Sequence, residues 1–377
     1  MTLELDDNSR TSRARGRLAP RRIGLLLATF AFFLAGCGGN EEGAGDNLDK
    51  QVVSLEAEVA LRAPVYDPAT GSVLALNETG DRLVKIEVEE PEGGFFGPDA
   101  QDPRLVTTSE DLEGESSGEN MVLDSTREGR AFVPQPELDH IQVMQTDDLL
   151  DVRAFDAGEP AARVALSGPR DAVYALSTIG KTVTSVDLDT LDPVAEKKVQ
   201  GSEGTLIGTP PFEGPLSGDT DVFWLADPEG IALHDFVSDP DPLGSIPLNA
   251  ATLAVDAENA ERAYASEAGT GRIVAVEPEG EGRLDIVGET DIGEEVLNLA
   301  AEPGRLYAVT ANSLVALDSA SLETIRSVTL FTGERESTGS SSSIPEPSGI
   351  AVGEEGVFVT LKGEPRMLLV AKPPTEE

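Results

Sequence analysis

Pro347-Ser348-Gly349-Ile350-Ala351-Val352 passes through Gly353-Glu354-Glu355-Gly356 into Val357-Phe358-Val359-Thr360. Two short apolar runs, rich in β-branched and aromatic residues, flank a Gly/Glu turn; this is the signature of paired strands. The second run recurs along the chain. It returns as Val73-Leu74-Ala75-Leu76, Ala131-Phe132-Val133, Val173-Tyr174-Ala175-Leu176, Val222-Phe223-Trp224-Leu225, Ala263-Tyr264-Ala265 and Leu306-Tyr307-Ala308-Val309. Successive starts lie 58, 42, 49, 41, 43 and 51 residues apart.

Each anchor run has similar neighbours. An apolar strand and a turn precede it, as in Val164-Ala165-Leu166-Ser167 and Leu253-Ala254-Val255-Asp256. A polar turn and an alternating strand follow, as in Val183-Thr184-Ser185-Val186-Asp187, Ile273-Val274-Ala275-Val276 and Leu314-Val315-Ala316-Leu317-Asp318. A more polar fourth strand closes the unit, for example Thr324-Ile325-Arg326-Ser327-Val328. Four-stranded propeller blades repeat at about 40–50 residues, whereas leucine-rich, ankyrin and tetratricopeptide repeats are shorter. The spacing predicts an all-β fold, a seven-bladed β-propeller of four-stranded blades over residues 51–373. The seventh unit ends after its third strand, near Lys372. Val52-Val53-Ser54-Leu55 precedes the first unit's first strand at residues 63–66, so it is expected to complete blade seven. That arrangement closes the ring with an N-terminal strand and removes open sheet edges.

These units resemble the YVTN and NHL families of β-propeller repeats, most closely in residues 347–360 followed by Leu368-Leu369-Val370. The resemblance covers about residues 51–373 and implies the fold more than an activity. The repeated Gly-His and Trp-Asp pairs of WD40 arrays are missing, as are sialidase Asp-boxes. A single Trp, Trp224, does not supply a quinoprotein docking motif.

The N-terminus carries the second strong signal. Arg13, Arg15, Arg17, Arg21 and Arg22 precede residues 23–34, an apolar run broken only by Gly24 and Thr29. Twelve residues fall short of the roughly 20 needed to cross a bilayer. The run closes as Leu34-Ala35-Gly36-Cys37, which resembles the lipobox of bacterial lipoproteins. The resemblance implies that residues 1–36 are removed and that Cys37 is diacylated, anchoring the exported protein to a cell-envelope membrane. Arg21-Arg22 also fits a twin-arginine signal loosely, and a plain basic leader fits it as well. Residues 37–50, nearly without apolar side chains, form a flexible acidic tether. Residues 374–377 form a short tail.

Composition narrows the function classes. Cys37 is the single cysteine, so no internal disulfide and no Cys-based zinc site is available. Asp and Glu outnumber Lys and Arg 69 to 28, a net charge of −41. Residues 1–36 hold six arginines against Glu4, Asp6 and Asp7, so their removal makes the charge −44. Such a chain repels nucleic acid and anionic lipid head groups.

Chemistry-bearing motifs are few. There is no nucleophile elbow, phosphate-binding loop or zincin His pair, and no cofactor is expected. His140 sits in a turn of the second unit and His234 in the third strand of the fourth. Residues 235–241, ending Asp239-Pro240-Asp241, are the candidate for a divalent cation such as calcium. The prolines suit an ordinary turn equally. Asn77-Glu78-Thr79 matches a glycosylation sequon, which carries little weight in a bacterial lipoprotein. Three stretches exceed the repeat: residues 89–119, around a strand at Leu105-Val106-Thr107; residues 209–220; and residues 331–347, with a serine run at 340–343. Function on a rigid scaffold concentrates in such loops. The expectation is a non-enzymatic binding or scaffold propeller that engages protein or carbohydrate through one face. The alternative is a metal-dependent enzyme of lactonase or lyase type. Lactonase propellers hold their cation with Glu, Asn and Asp from several blades, and Glu78, Asn312 and Asp139 occupy suitable turns.

Overall fold

The computed structural model describes residues 51–96, 102–125, 129–168, 170–210, 222–236, 241–259, 261–280, 282–331 and 345–374, all within one compact unit, Asn47–Glu377. Cys37 and the leader, the tether, most of the stretch at 209–220, the serines at 340–343 and Asp239-Pro240 lie outside the described residues.

The described chain is built from 28 strands and one single-turn 3-10 helix. After β1 (Val52–Glu56) come seven antiparallel meanders. Meander 1 is β2 (Leu61–Asp67), β3 (Ser72–Asn77), β4 (Arg82–Glu89) and β5 (Arg104–Asp111). Meander 2 is β6 (Val122–Asp124), β7 (Arg130–Gln135), β8 (His140–Gln145) and β9 (Asp151–Asp156). Meander 3 is β10 (Ala161–Ser167), β11 (Ala172–Ser177), β12 (Thr182–Asp187) and β13 (Pro193–Lys198). Meander 4 is β14 (Leu206–Gly208), β15 (Val222–Asp227), β16 (Gly230–Asp235) and β17 (Gly244–Ile246). Meander 5 is β18 (Ala250–Val255), β19 (Ala263–Glu267), β20 (Arg272–Gly280) and β21 (Arg283–Asp291). Meander 6 is β22 (Asn298–Glu302), β23 (Arg305–Val309), β24 (Ser313–Asp318) and β25 (Thr324–Thr329). Meander 7 holds β26 (Pro347–Val352), β27 (Val357–Leu361) and β28 (Arg366–Val370). Meanders 4 and 5 share one sheet through a single parallel bridge, Ser245 to Arg283.

β1 supplies meander 7 with its fourth strand. It pairs antiparallel with β28, Val53 opposite Leu369 and Leu55 opposite Met367. Val53 and Leu55 are 0% and 1% exposed, buried against Val84 and Ile86 of meander 1 as well as Phe358 of meander 7. The first strands touch in chain order from β2 through β6, β10, β14, β18 and β22 to β26, and β26 touches β2.

Burial explains the hydrophobic pattern strand by strand. Second strands β3, β11 and β15 are buried at every position, because a sheet lies against each of their faces. A strand buried on both faces reads as a continuous apolar run. Fourth strands such as β13 and β25 are largely exposed, which is why they are polar. β5 belongs to this class. The strand at Leu105-Val106-Thr107 is therefore the fourth strand of the repeat, and residues 104–111 do not form an insertion. Its few apolar residues disguise it in sequence.

The described residues form no single central core. Buried apolar residues divide into seven clusters, one between each consecutive pair of meanders, including 7 and 1. Because side chains alternate along a strand, each second strand feeds both clusters beside it. Leu306 and Ala308 face meander 5, whereas Tyr307 and Val309 face meander 7.

Deleting residues 51–61 is expected to lower the melting temperature markedly, since it uncovers the apolar face of β28 and leaves a sheet edge open. Leu55→Ala alone should cost about 2–5 kcal/mol, as large-to-small changes at fully buried sites do. Deleting residues 38–50 should change the melt little. Equal and negligible shifts from both deletions, measured by calorimetry, would show that β1 does not hold meander 7.

Candidate functional site

The first strands wall a central channel of about 690 Å³. Every meander contributes, meander 2 through residues 119–121 just ahead of β6. Polar side chains gather where the first strands begin: Arg62, Arg163, Thr252, Asn298 and Ser348. Farther along come aliphatic residues, Val65 on β2, Leu253 on β18, Leu299 on β22 and Ile350 on β26. The rim is completed by Glu78 from the β3–β4 turn, Lys362 from the β27–β28 turn, and the connections that bring in Glu119 and Glu346. Turns between second and third strands thus share one face with the inter-meander connections.

The connection from β5 to β6 is built firmly into this rim. Ser117 N donates to Gly80 O at 2.7 Å, Gly118 N to Pro134 O at 2.8 Å and Glu119 N to Ala162 O at 2.7 Å. Asn120 and Val164 exchange two hydrogen bonds, of 2.8 and 2.9 Å. Two arginines clamp the same segment. Arg62 donates to Gly118 O at 3.0 Å and to Ser117 Oγ at 2.8 Å, and Arg163 is ion-paired with Glu119. Gly80 adopts a positive φ of 81°, and a Cβ there would sit 2.9 Å from Ser117 N. Residues 112–121 are therefore part of the scaffold, and a Gly-Ser replacement would remove contacts to three meanders.

Burial shapes the charge of both guanidiniums. Loss of water lowers the pKa of Arg62, with a smaller opposing influence from Glu78. Desolvation pulls Arg163 down to about 10.

The residues singled out in the sequence are dispersed. Glu78 lines the channel, but Asp139 and Asn312 do not. Asp139 takes a left-handed backbone, φ 55°, before β8. Asn312 donates to Glu294 at 3.5 Å. Among the described residues no three His, Cys, Asp or Glu side chains converge as metal ligands. His140 Nε2 lies 3.3 Å from Glu113 Oε2, outside the channel lining. Asn77 spends its side chain on its own turn, accepting from Gly80 N and Arg82 N at 3.0 Å each and donating to Asp81 at 2.5 Å.

His234 is a different case. It is 2% exposed and stacks on Phe223 at 5.3 Å, and among the described residues neither ring nitrogen has a hydrogen-bond partner. Its pKa falls to about 4 through desolvation first and the Lys197 ammonium second, against a smaller upward pull from Asp235.

No protein-family model matches the chain, and no curated protein matches it in sequence. Among solved structures it is similar to virginiamycin B lyase from Staphylococcus aureus, at a TM-score of 0.58 and 11% identity. The match covers 86% of this chain and 99% of that one. That neighbour is a β-propeller. This chain has a β-propeller fold. At such low identity the likeness speaks to architecture alone.

His234 gives the propeller a pH dependence whose sign follows from its depressed pKa. Between about pH 6.5 and 4 the unfolded chain binds a proton that the folded state refuses. Stability is thus lost as pH falls through that window, by roughly 3 kcal/mol once below pH 4. Chemical denaturation at pH 7.0 and pH 4.5, of wild type beside His234→Phe, should show the smaller acid loss in the variant. Parallel losses would mean that His234 is solvated.

Proposed function

We propose that this chain is a cell-envelope lipoprotein whose seven-bladed propeller binds protein or carbohydrate through the face bearing the channel mouth. On this reading residues 1–36 are removed, Cys37 carries the lipid anchor, and residues 37–50 tether the propeller of residues 51–373, with 374–377 as a tail. Several observations support it. The Leu34-Ala35-Gly36-Cys37 motif follows a basic and then an apolar segment. Seven four-stranded units include one completed by β1. The observation that carries the binding role is the channel itself, an opening of about 690 Å³ to which every meander contributes. Concave sites of about 300–1,000 Å³ with a few convergent polar groups are where proteins take ligands.

A second reading, a metal-dependent propeller enzyme of lactonase or lyase type, draws on the activity of the structural neighbour, a lyase. Fold likeness alone does not transfer that activity.

Cys37→Ser should abolish fatty-acid labelling and release the protein from membranes, whereas the wild type should fractionate with membranes. A wild-type protein that is soluble and unlabelled would end the lipoprotein reading. For the binding face, a photo-reactive residue at Glu78, on the mouth, should give adducts on intact cells. One at Asp189, in the β12–β13 turn at the opposite ends of the strands, should not. Equal labelling from both would contradict the assignment. A turnover that chelation abolishes and metal restores would establish the enzyme instead.

A further inference from the structure

Cations and carboxylates are balanced at the channel rim, where Arg62, Arg163 and Lys362 stand among Glu78, Glu119 and Glu346. Carboxylates outnumber cations 69 to 28, and many described cations end on one. Arg82 meets Asp111, Arg130 meets Asp124, Arg262 meets Glu277 and Lys372 meets Glu302. Arg62 and Lys362 both line the channel, and among the described residues neither is ion-paired. The Arg62 hydrogen bonds go to neutral acceptors, Gly118 O and Ser117 Oγ. Arg163 reaches Glu119 through Nη2, but its Nε is buried without an acceptor.

These groups line the same channel mouth. Arg62 and Arg163 grip successive residues of one connection, Gly118 and Glu119. Ser348 of β26 donates to Leu61 O, beside Arg62, at 3.2 Å, and Lys362 N donates to Glu346 O at 2.8 Å on the same edge of meander 7. The aliphatic wall below the rim is uncovered: Val65, Ile207, Leu253 and Ile350 are only partly buried although they face the interior channel.

We propose that the channel binds a small organic carboxylate, its head at Arg62, Arg163 and Lys362 and its apolar body along the wall. The proposal rests on the mouth being the binding face. A guanidinium fork matches a carboxylate's two oxygens, and partial desolvation of the rim strengthens that pairing relative to water. Glu78, Glu119 and Glu346 on the same rim oppose a head of higher charge, so a monoanion fits better than a phosphate. The aliphatic wall gives an apolar body a favourable transfer from water.

Isothermal titration of the full chain with 4-phenylbutyrate, 4-phenylbutanol and 4-phenylbutylamine tests this, because the three differ only in the head. The acid should bind about ten-fold tighter than the alcohol, and the amine weakest. Lys362→Met should cost the acid about five-fold or more and the alcohol far less. Its side chain makes no described hydrogen bond, so an unchanged melt confirms that the fold is kept. Arg163→Met provides the second arm, with the same selectivity for the acid. The proposal is overturned if the alcohol or amine binds as tightly as the acid, if Lys362→Met affects acid and alcohol alike, or if the acid fails to bind at about 10 mM. Mouth-specific labelling on cells without acid binding would retire this ligand class and leave the binding face standing. Acid binding with equal labelling of both faces would do the reverse.

Discussion

One large side chain at the centre of each second strand, aimed at the meander that follows, holds the structure together. Leu74, Phe132, Tyr174, Trp224, Tyr264, Tyr307 and Phe358 take this position in meanders 1 to 7, each in the apolar cluster shared with the next meander. Phe358 closes the series by stacking against Tyr66 of meander 1 at 6.0 Å. A slip of one residue would turn all of these groups to the wrong face, so this position sets the register of the second strand, to which first and third strands pair. Polar stitches then fix the angle between sheets. Side chains of one meander reach the carbonyls after the third strand of the next: Lys85 to Asp147 O, Arg130 to Leu188 O, Tyr264 to Ser319 O, and Arg305 to Pro373 O at the corresponding place beyond β28.

The proposed binding role draws on the same geometry. Meanders that pack side by side leave their first strands facing an axial space, and short first strands bring their starting residues to one rim. The strands below are committed to the clusters between meanders, and part of the rim, the 112–121 connection with Arg62 and Arg163, is committed to the scaffold as well. The rim carries Arg62 and Lys362, neither of them ion-paired among the described residues, beside the Arg163–Glu119 pair.

The second strands were legible because burial on both faces makes them continuous apolar runs with an aromatic at a fixed register. β1 was legible because a fourth strand was missing after Val370 and one spare strand preceded β2. β5 was hidden, since Arg104–Asp111 is exposed along most of its length and looks like loop. Arg62 and Arg163 were hidden too: each is a lone arginine in an unremarkable strand, and only the ring brings them together. A polar residue at the start of the first strand, as in Arg62, Arg163, Thr252, Asn298 and Ser348, was the available signal. Some of the acidity also has a structural cause. Asp67, Asp187, Asp227, Asp256 and Asp318 each accept a backbone N–H two residues on, at 2.7–3.1 Å, the Asx device that sets a tight turn. The recurrence of that aspartate is itself a repeat signal.

The central claim is that β1 and β28 form one sheet, so that chain ends far apart in sequence unfold together. Native-state hydrogen exchange on the untouched protein measures this directly. Peptides covering Val52–Glu56 should exchange as slowly as those covering Arg366–Val370, and both should quicken at the same denaturant concentration. Exchange of residues 52–56 at the rate of a free chain, with residues 366–370 still protected, would contradict it.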